Sequence, residues 1–448
     1  MDVVIVGAGE VGTAIAANLA SDHDVVVVDL DQDLTDELTY DLDVLSIAGD
    51  GTTLPTLRAA MVPEADMFIA CTDDDRTNLV ACGTAKTLGD PFTIARTKRT
   101  DYLRVWEHDE SAYGADFVVC TDLLTAENIV RVIGLPAAID VDPFAGGLVQ
   151  MAEFDVTEES PVAGRTVMEA DRFEALTFAG IFRDEELILA RGDSLIRAGD
   201  RVVVIGSPES VQSFATDVAP ETTPDHADEI VIVGGSETGY HTARLLEERS
   251  LHPRLIEQDG DRARFLAENL PHTLVMAHDA TDTEFLVREH VDDADVVVAA
   301  LATDERNLLV SVLAKRLGVD RVIAVVDSAD YVTLFEEIGI NVAINPRLVT
   351  AEEITRFSHE SIAENISVLE NDRAEVVEIE LAADSPLVDR PIQEITAELE
   401  ARVVIGAITR NRTHVTPRGD TVLRSGDHVV AFVESSFVNE LTALSSAT

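Results

Sequence analysis

A chain of 448 residues exceeds what one hydrophobic core fills, and about 150 residues per domain gives a prior of two to four units. Apolar residues make up 46% of it and charged residues 26%, and glycine plus proline supply 40 positions, which argues against disorder and low complexity. With 33 basic against 84 acidic side chains the formal charge is −51, and only Lys86, Lys98 and Lys315 are lysine, so a nucleic-acid face or attraction to anionic lipid is effectively excluded. The acid is spread along the whole length, as on a solvated surface in concentrated salt, and points to a halophilic cytoplasm.

From residue 1 to about 119, strand-like runs (VVIV, DVVVVDL, VLSIAG, MFIACT, TIAR, FVVC) alternate with predicted helical stretches such as 13–20 and 78–88. That alternation predicts an α/β fold, a Rossmann-like doubly wound parallel sheet. The segment LLTAENIVRVIG then reads as a longer helix with Thr121 or Asp122 as N-cap, and Leu123, Leu124, Ile129 and Val130 as its apolar stripe. From about 145 to 215 the rhythm changes to period-two strands, with turn signals at Arg191-Gly192-Asp193 and Ala198-Gly199-Asp200, which predicts a small α+β module. Residues 216–228 are polar and aperiodic, and read as a linker.

After the linker the whole pattern starts again. VVIVGAGEVGTAIAANL at 3–19 aligns with IVIVGGSETGYHTARLL at 230–246, an offset of 227, and RGDSLIRAGDRVVVIG at 191–206 aligns with RGDTVLRSGDHVVAFV at 418–433 at the same offset. Two distant segments repeating at one offset mean that the unit was duplicated. The expected domains are 1–119 with a connecting helix 120–136, 137–217, 228–344 with a connecting helix 345–360, and 364–446. The first strand leaves no room for a cleavable signal, and no apolar run reaches a membrane-spanning length. Cys71, Cys82 and Cys120 show no metal-type spacing and are expected to be reduced, buried thiols.

In the first half Gly7-Ala8-Gly9-Glu10-Val11-Gly12 follows a β-branched strand and opens a helix. That context makes GxGxxG credible as a turn that brings backbone and a helix N-terminus against a pyrophosphate. Asp29 ends the next strand 17 residues after Gly12, where a carboxylate accepts from both ribose hydroxyls and disfavours a 2′-phosphate, so NAD(H) is expected over NADP(H). The second half offers Gly234-Gly235-Ser236-Glu237-Thr238-Gly239, with Ser236 in place of Gly9 and Glu257 in place of Asp29. Further candidates at strand ends are Asp50 in GDGT, matched to Asp279 in HDAT, and Thr72 and Asp73 in CTDDDRTN, matched to Thr303 and Asp304 with Asn307. For those two acidic runs, helix N-capping is an equally good explanation. Arg96 ends TIAR, where the second half has Val325.

A dehydrogenase would need a general acid or base brought to the nicotinamide, but the eleven histidines are scattered, and the small modules offer only His414 and His428 at nonequivalent positions. His428 beside Asp427 reads as a solvated turn. No nucleophile elbow, Walker lysine motif or HExxH is present. No catalytic residue and no metal ligand is therefore expected.

The chain resembles the TrkA family, the peripheral nucleotide-binding subunits of Trk potassium uptake systems built from RCK (regulator of potassium conductance) domains, along essentially its whole length in the order RCK-N, RCK-C, RCK-N, RCK-C. The carriers are GAGEVG with Asp29, GDGT, CTDDDRTN and IART, then GGSETG with Glu257, HDATD, ATDERN and the two RGDxxxxxGD segments. The resemblance implies a homotetrameric cytoplasmic ring under a TrkH- or TrkG-like potassium channel, with NAD(H) and ATP or ADP in the RCK-N clefts biasing its shape. It implies that Gly7 to Val11 cradle the pyrophosphate, Asp29 holds the ribose, Thr72 and Asp73 lie near the ligand and Arg96 faces a terminal phosphate. Gly234 to Thr238, Glu257 and Asp279 would do the same in the second half, and the helices near 121–135 and 347–359 would carry swapped packing between RCK domains. An NAD-dependent oxidoreductase and an RCK-type sensor for another membrane transporter are the alternative readings.

Overall fold

The structure is a computed structural model that describes residues 1–20, 23–42, 44–135, 137–183, 186–218, 229–359, 365–369, 374–399, 402–410 and 413–445. It divides into two compact units, Met1–Val130 with Ala227–Ser358 and Arg131–His226 with His359–Thr448. Like is paired with like: one unit holds both parallel-sheet domains and the other holds both small modules.

In the first unit, the strands β1 (Asp2–Val6), β2 (Asp24–Asp29), β3 (Leu45–Ala48), β4 (Met67–Ala70), β5 (Phe92–Thr97) and β6 (Phe117–Cys120) form a parallel sheet in the order β3-β2-β1-β4-β5-β6. Helices cover both faces, so strands such as VVIV bury every side chain. The helix Glu10–Leu19 buries Val11, Ile15, Ala16 and Leu19, one stripe at helical spacing. The order reverses between β1 and β4, and the crevice beyond the carboxyl ends of these strands is where such sheets bind ligands. The second half repeats the order with Leu274–Ala277, Arg254–Glu257, Ile230–Val233, Val296–Ala299, Arg321–Val325 and Val342–Ile344.

The two connecting helices cross over. Ala351 and Ile354 of Pro346–His359 belong to the buried cluster that contains Val3, Ile5, Ile15 and Ile69 of the first half. Thr121–Ile133 reaches the second half: Asp122 accepts a 3.1 Å hydrogen bond from Thr238, and Arg249 donates to Val130 O at 3.2 Å. The swapped packing expected between domains thus occurs within this chain. Thr121 is already the first helical residue rather than a cap, and of the expected stripe Ile129 and Val130 are buried while Leu123 and Leu124 are only partly so.

In the second unit each module is an antiparallel five-stranded sheet. The first runs Glu186–Leu189, Leu176–Arg183, Arg201–Gly206, Val149–Asp155, Ala138–Phe144, and the second Asn365–Leu369, Ala374–Glu380, His428–Glu434, Val403–Arg410, Thr413–Val415. One shared core, including Phe144, Met151, Phe182 and Ile205 from the first and Val376, Val430 and Phe432 from the second, joins them. Gly180 leaves room for that contact, since a Cβ there would stand 2.5 Å from the Phe432 ring.

The repeated RGDxxxxxGD segments are structural. Asp200 is 1% exposed and accepts from Arg183 Nε and Nη2 at 2.7 and 2.6 Å and from Arg197 N at 2.7 Å. Asp427 is likewise buried and accepts from Arg410 Nε and Nη2, both at 2.7 Å, and from Arg424 N at 2.8 Å. The solvated turn expected at Asp427-His428 is therefore corrected: Asp427 is buried against the partly buried guanidinium of Arg410, and His428 lies 3.7 Å from Glu378. The expected linker also begins late, because the helix Pro208–Val218 runs through 216–218, and 219–228 lie outside the described residues. Among the described residues no helix is long and apolar enough to cross a membrane, and no cluster of His, Cys, Asp and Glu could hold a metal.

Candidate functional site

The first glycine loop opens onto a cavity of about 760 Å³ at the switch point of the first sheet. Gly7 adopts φ +115°, a conformation that favours glycine, and its N–H donates to Val28 O at 2.8 Å, which fastens the turn to β2. Gly12 permits the helix to approach, because a Cβ there would stand 1.8 Å from Gly7 O. Gly9 occupies the N-cap without a side-chain bond, so the first N–H groups of the helix remain open donors. Asp29 Oδ2 accepts from Ala8 N at 2.7 Å and Oδ1 from Asp31 N at 2.9 Å, fixing the carboxylate at the cavity wall with lone pairs to spare for ribose hydroxyls.

The opposite wall is cationic. Arg96 is 4% exposed, donates to Thr121 Oγ1 at 3.0 Å and lies 3.4 Å from Asp73. Burial pushes the Asp73 carboxyl up, but Lys98, Arg96 and Arg347 outweigh this and hold it below its ordinary range. Arg347 comes from the second half, at the start of the helix Pro346–His359, and pairs with Glu10 of the glycine loop. Asn345, Leu348 and Ala329 of the second half also line the cavity. Thr350 on the same helix bonds Thr121 at 3.1 Å, so Arg96, Thr121 and Thr350 form one buried chain between the cleft and both crossover helices. Cys71 also lines the cavity, but burial pushes its thiol up to about 12, so it is an inert wall.

The second glycine loop keeps the backbone and changes the lining. A Cβ on Gly239 would stand 2.1 Å from Gly234 O, and Glu257 Oε2 accepts from Gly235 N at 2.8 Å, both as in the first half. Ser236 donates to Ala300 O at 2.8 Å and accepts from Gly239 N at 3.2 Å, so the helix Glu237–Glu248 begins capped by its own serine. Arg262 lies across the loop, with Nε 2.6 Å from Gly235 O and Nη2 3.0 Å from Glu237. Asp122 enters from the first half and touches Thr238; burial pushes its carboxyl up, and Glu237 adds to this.

Of the first-half candidates, Gly7, Ala8, Gly9, Glu10, Val11, Asp29, Thr72, Asp73 and Arg96 line the one cavity. Gly12 supports the loop from behind, and Asp50 is absent from that lining: it holds a turn through Thr52 N and Oγ1 at 2.9 and 2.6 Å, which lower its pKa. Asp279 does the same with Thr281. The N-capping explanation holds for Asp74, which accepts from Thr77 N at 3.0 Å. The pairing of Thr72 with Thr303 is corrected. Asn78 bonds Thr72 and Arg96 O, whereas Asn307 bonds Leu301 and Val325 O, so Leu301 stands for Thr72 and Ala302 for Asp73. Residue reasoning missed Arg347 as a lining group. The available signal was its charge opposite to Asp122, each lying three residues before the TAE of its connecting helix.

Models of the TrkA-N domain match residues 3–121 and 230–346, and models of the TrkA-C domain match 151–217 and 376–446. The chain is 34% identical to Trk system potassium uptake protein TrkA homolog 1 of Methanosarcina mazei over 98% of this chain and 99% of that one. It is 32% identical to Trk system potassium uptake protein TrkA of Halomonas elongata, over 97% and 96% of the two chains. Among solved structures, the crystal structure of the GsuK RCK domain superimposes with a TM-score of 0.61 at 19% identity, covering 98% and 94%, and the GsuK channel bound to NAD with 0.62 at 19%, covering 98% and 78%. The sheets that build the cleft are thus those of RCK domains, and the chain belongs to the TrkA family of Trk system potassium uptake proteins, with tandem TrkA-N and TrkA-C domains.

Proposed function

We propose that this chain is the cytoplasmic nucleotide-sensing subunit of a Trk-type potassium uptake system. It binds NAD(H), and ATP or ADP, and biases a TrkH- or TrkG-like membrane channel subunit beneath which it sits as a homotetrameric ring. The acidic surface suits a halophilic cytoplasm. The domain division follows the duplication, with RCK-N at 1–119 and 228–344 and RCK-C at 137–217 and 364–446.

The observation that carries this reading is the first cleft: uncapped helix N–H groups, a fixed carboxylate at Asp29 and two arginines face one cavity large enough for a nucleotide. The helix start takes the phosphates, Asp29 takes the ribose hydroxyls, and Arg96 and Arg347 meet the remaining negative charge. Arg347 stands on a crossover helix, so a phosphate that draws it from Glu10 alters the seat of that helix. A ligand shifts an equilibrium only by such differential contacts, and ATP brings more phosphate charge to these arginines than NADH does. The residues that line the cavity bind and orient the nucleotide.

Calorimetric titration of the purified chain in molar KCl with NADH, NAD+, ATP and ADP tests this, alongside Asp29→Ala. Binding lost in the variant is expected. A folded protein that binds none of the four would sink the reading.

A further inference from the structure

The two clefts are copies of one ancestor, yet their walls are of different size. Where the first cavity is lined by Thr13, Ala14 and Ala17, the repeat-equivalent positions of the helix Glu237–Glu248 carry Tyr240, His241 and Arg244. Leu34 is replaced by Arg262 and Glu37 by Phe265. Every substitution at these five positions adds bulk, and the added side chains contact one another. The Arg262 guanidinium stands 5.0 Å from the Phe265 ring centre and 6.0 Å from that of Tyr240, and Tyr240 packs against His241 at 5.1 Å. A Cβ on Gly235 would meet Leu266 Cδ1 at 2.4 Å, whereas the first half carries Ala8 at that position, on the cavity lining with Leu38 in the place of Leu266.

The polar groups that would meet a phosphate are also taken. Arg262 spans Gly235 O and Glu237, and Ser236 accepts from Gly239 N at the start of its helix, where the corresponding helix of the first site has no side-chain cap. The charge delivered by the crossing helix is reversed: Arg347 reaches the first cleft, and Asp122 reaches the second. Neither Thr72, Asp73 nor Arg96 has a polar counterpart, the equivalent residues being Leu301, Ala302 and Val325.

We propose that the chain takes one nucleotide, in the first cleft only, and that Arg262 with Tyr240 and Phe265 is the second cleft's built-in occupant. The inference rests on the nucleotide reading of the first cleft. The second parallel-sheet domain then serves as the platform from which Asn345 and Arg347, just after the edge strand Val342–Ile344, are presented to the first cleft.

Equilibrium dialysis of the full-length protein in molar KCl with labelled ATP and labelled NADH reads the number of sites. The expected result is one site per chain for either probe, competed by the other. Leu34→Arg, which copies the second cleft's plug into the first, is expected to weaken binding at least tenfold with the thermal transition retained. Two sites in the unaltered protein would overturn the proposal, as would undiminished binding by Leu34→Arg. No binding by the folded, unaltered protein would overturn the nucleotide reading as well, which separates that failure from this one.

Discussion

The two small modules have kept one internal device, whereas the two glycine-loop clefts have parted. Asp200 and Asp427 hold their arginines with the same four atoms at distances that agree within 0.1 Å. The clefts share the loop backbone and the carboxylate that fastens it: Gly12 and Gly239 admit the same helix approach, and Asp29 and Glu257 accept from the same loop N–H, but the walls differ at the five bulky positions compared above. Duplication has preserved what the fold requires and released what a ligand would require. A residue repeated in both halves is therefore evidence for architecture, and a residue present in one half is the better candidate for function.

The largest effects should be equal in the two halves. Asp200→Ala and Asp427→Ala each strand a partly buried guanidinium and are expected to cost about 3–5 kcal/mol, measured by chemical denaturation in high salt. A loss confined to one of them would break the claim that the modules share one device. Gly12→Ala and Gly239→Ala should each cost about 1–3 kcal/mol through overpacking against the carbonyl of Gly7 or Gly234. Here the halves separate in function, because only Gly12→Ala should also abolish ATP and NADH binding in calorimetry.

A smaller effect belongs to the second half alone. His241 is buried and pushed down to about 4 by burial, with Arg244, Arg104 and Arg262 adding to this, while the first half has Ala14 at that position. Its folded-state value lies below the ordinary 6.5, so the unfolded chain binds the proton more readily. The corresponding stability is complete above pH 6.5, is lost as pH falls towards 4, and changes no further below that. The difference in stability between wild type and His241→Ala should accordingly narrow over this window by roughly 3 kcal/mol. A gap that stays constant would contradict the buried, neutral ring. The smallest effect concerns Arg347→Ala, expected to weaken ATP about tenfold, near 1.4 kcal/mol, and NADH less, since the more highly charged phosphate tail gains more from the guanidinium.

Much of the architecture was legible in the sequence because it follows from periodicity. The β-branched strands, the glycine loop and the repeated offset of 227 point to two doubly wound sheets and two α+β modules, and the structure has both pairs. Asp29 was legible because its distance from Gly12 is set by one helix and one strand. Arg347 was not, since its contact with Glu10 depends on a crossover helix that brings distant parts of the chain together. Thr72 was paired with Thr303 because the two runs look alike, and the asparagines Asn78 and Asn307 show that the register differs by two residues. The role of Asp200 and Asp427 was hidden for another reason: a Gly-Asp turn looks solvated until the strand carrying the arginine is folded beside it.

The central claim is that the first cleft responds to nucleotide and the second does not. Hydrogen exchange on the full chain in molar KCl, without ligand and with saturating ATP or NADH, tests it most directly. The account predicts slowed exchange in the first glycine loop at residues 7–13, at the end of β2 and at the start of the helix Pro346–His359, with residues 234–240 unchanged. Equal protection of both glycine loops would contradict it.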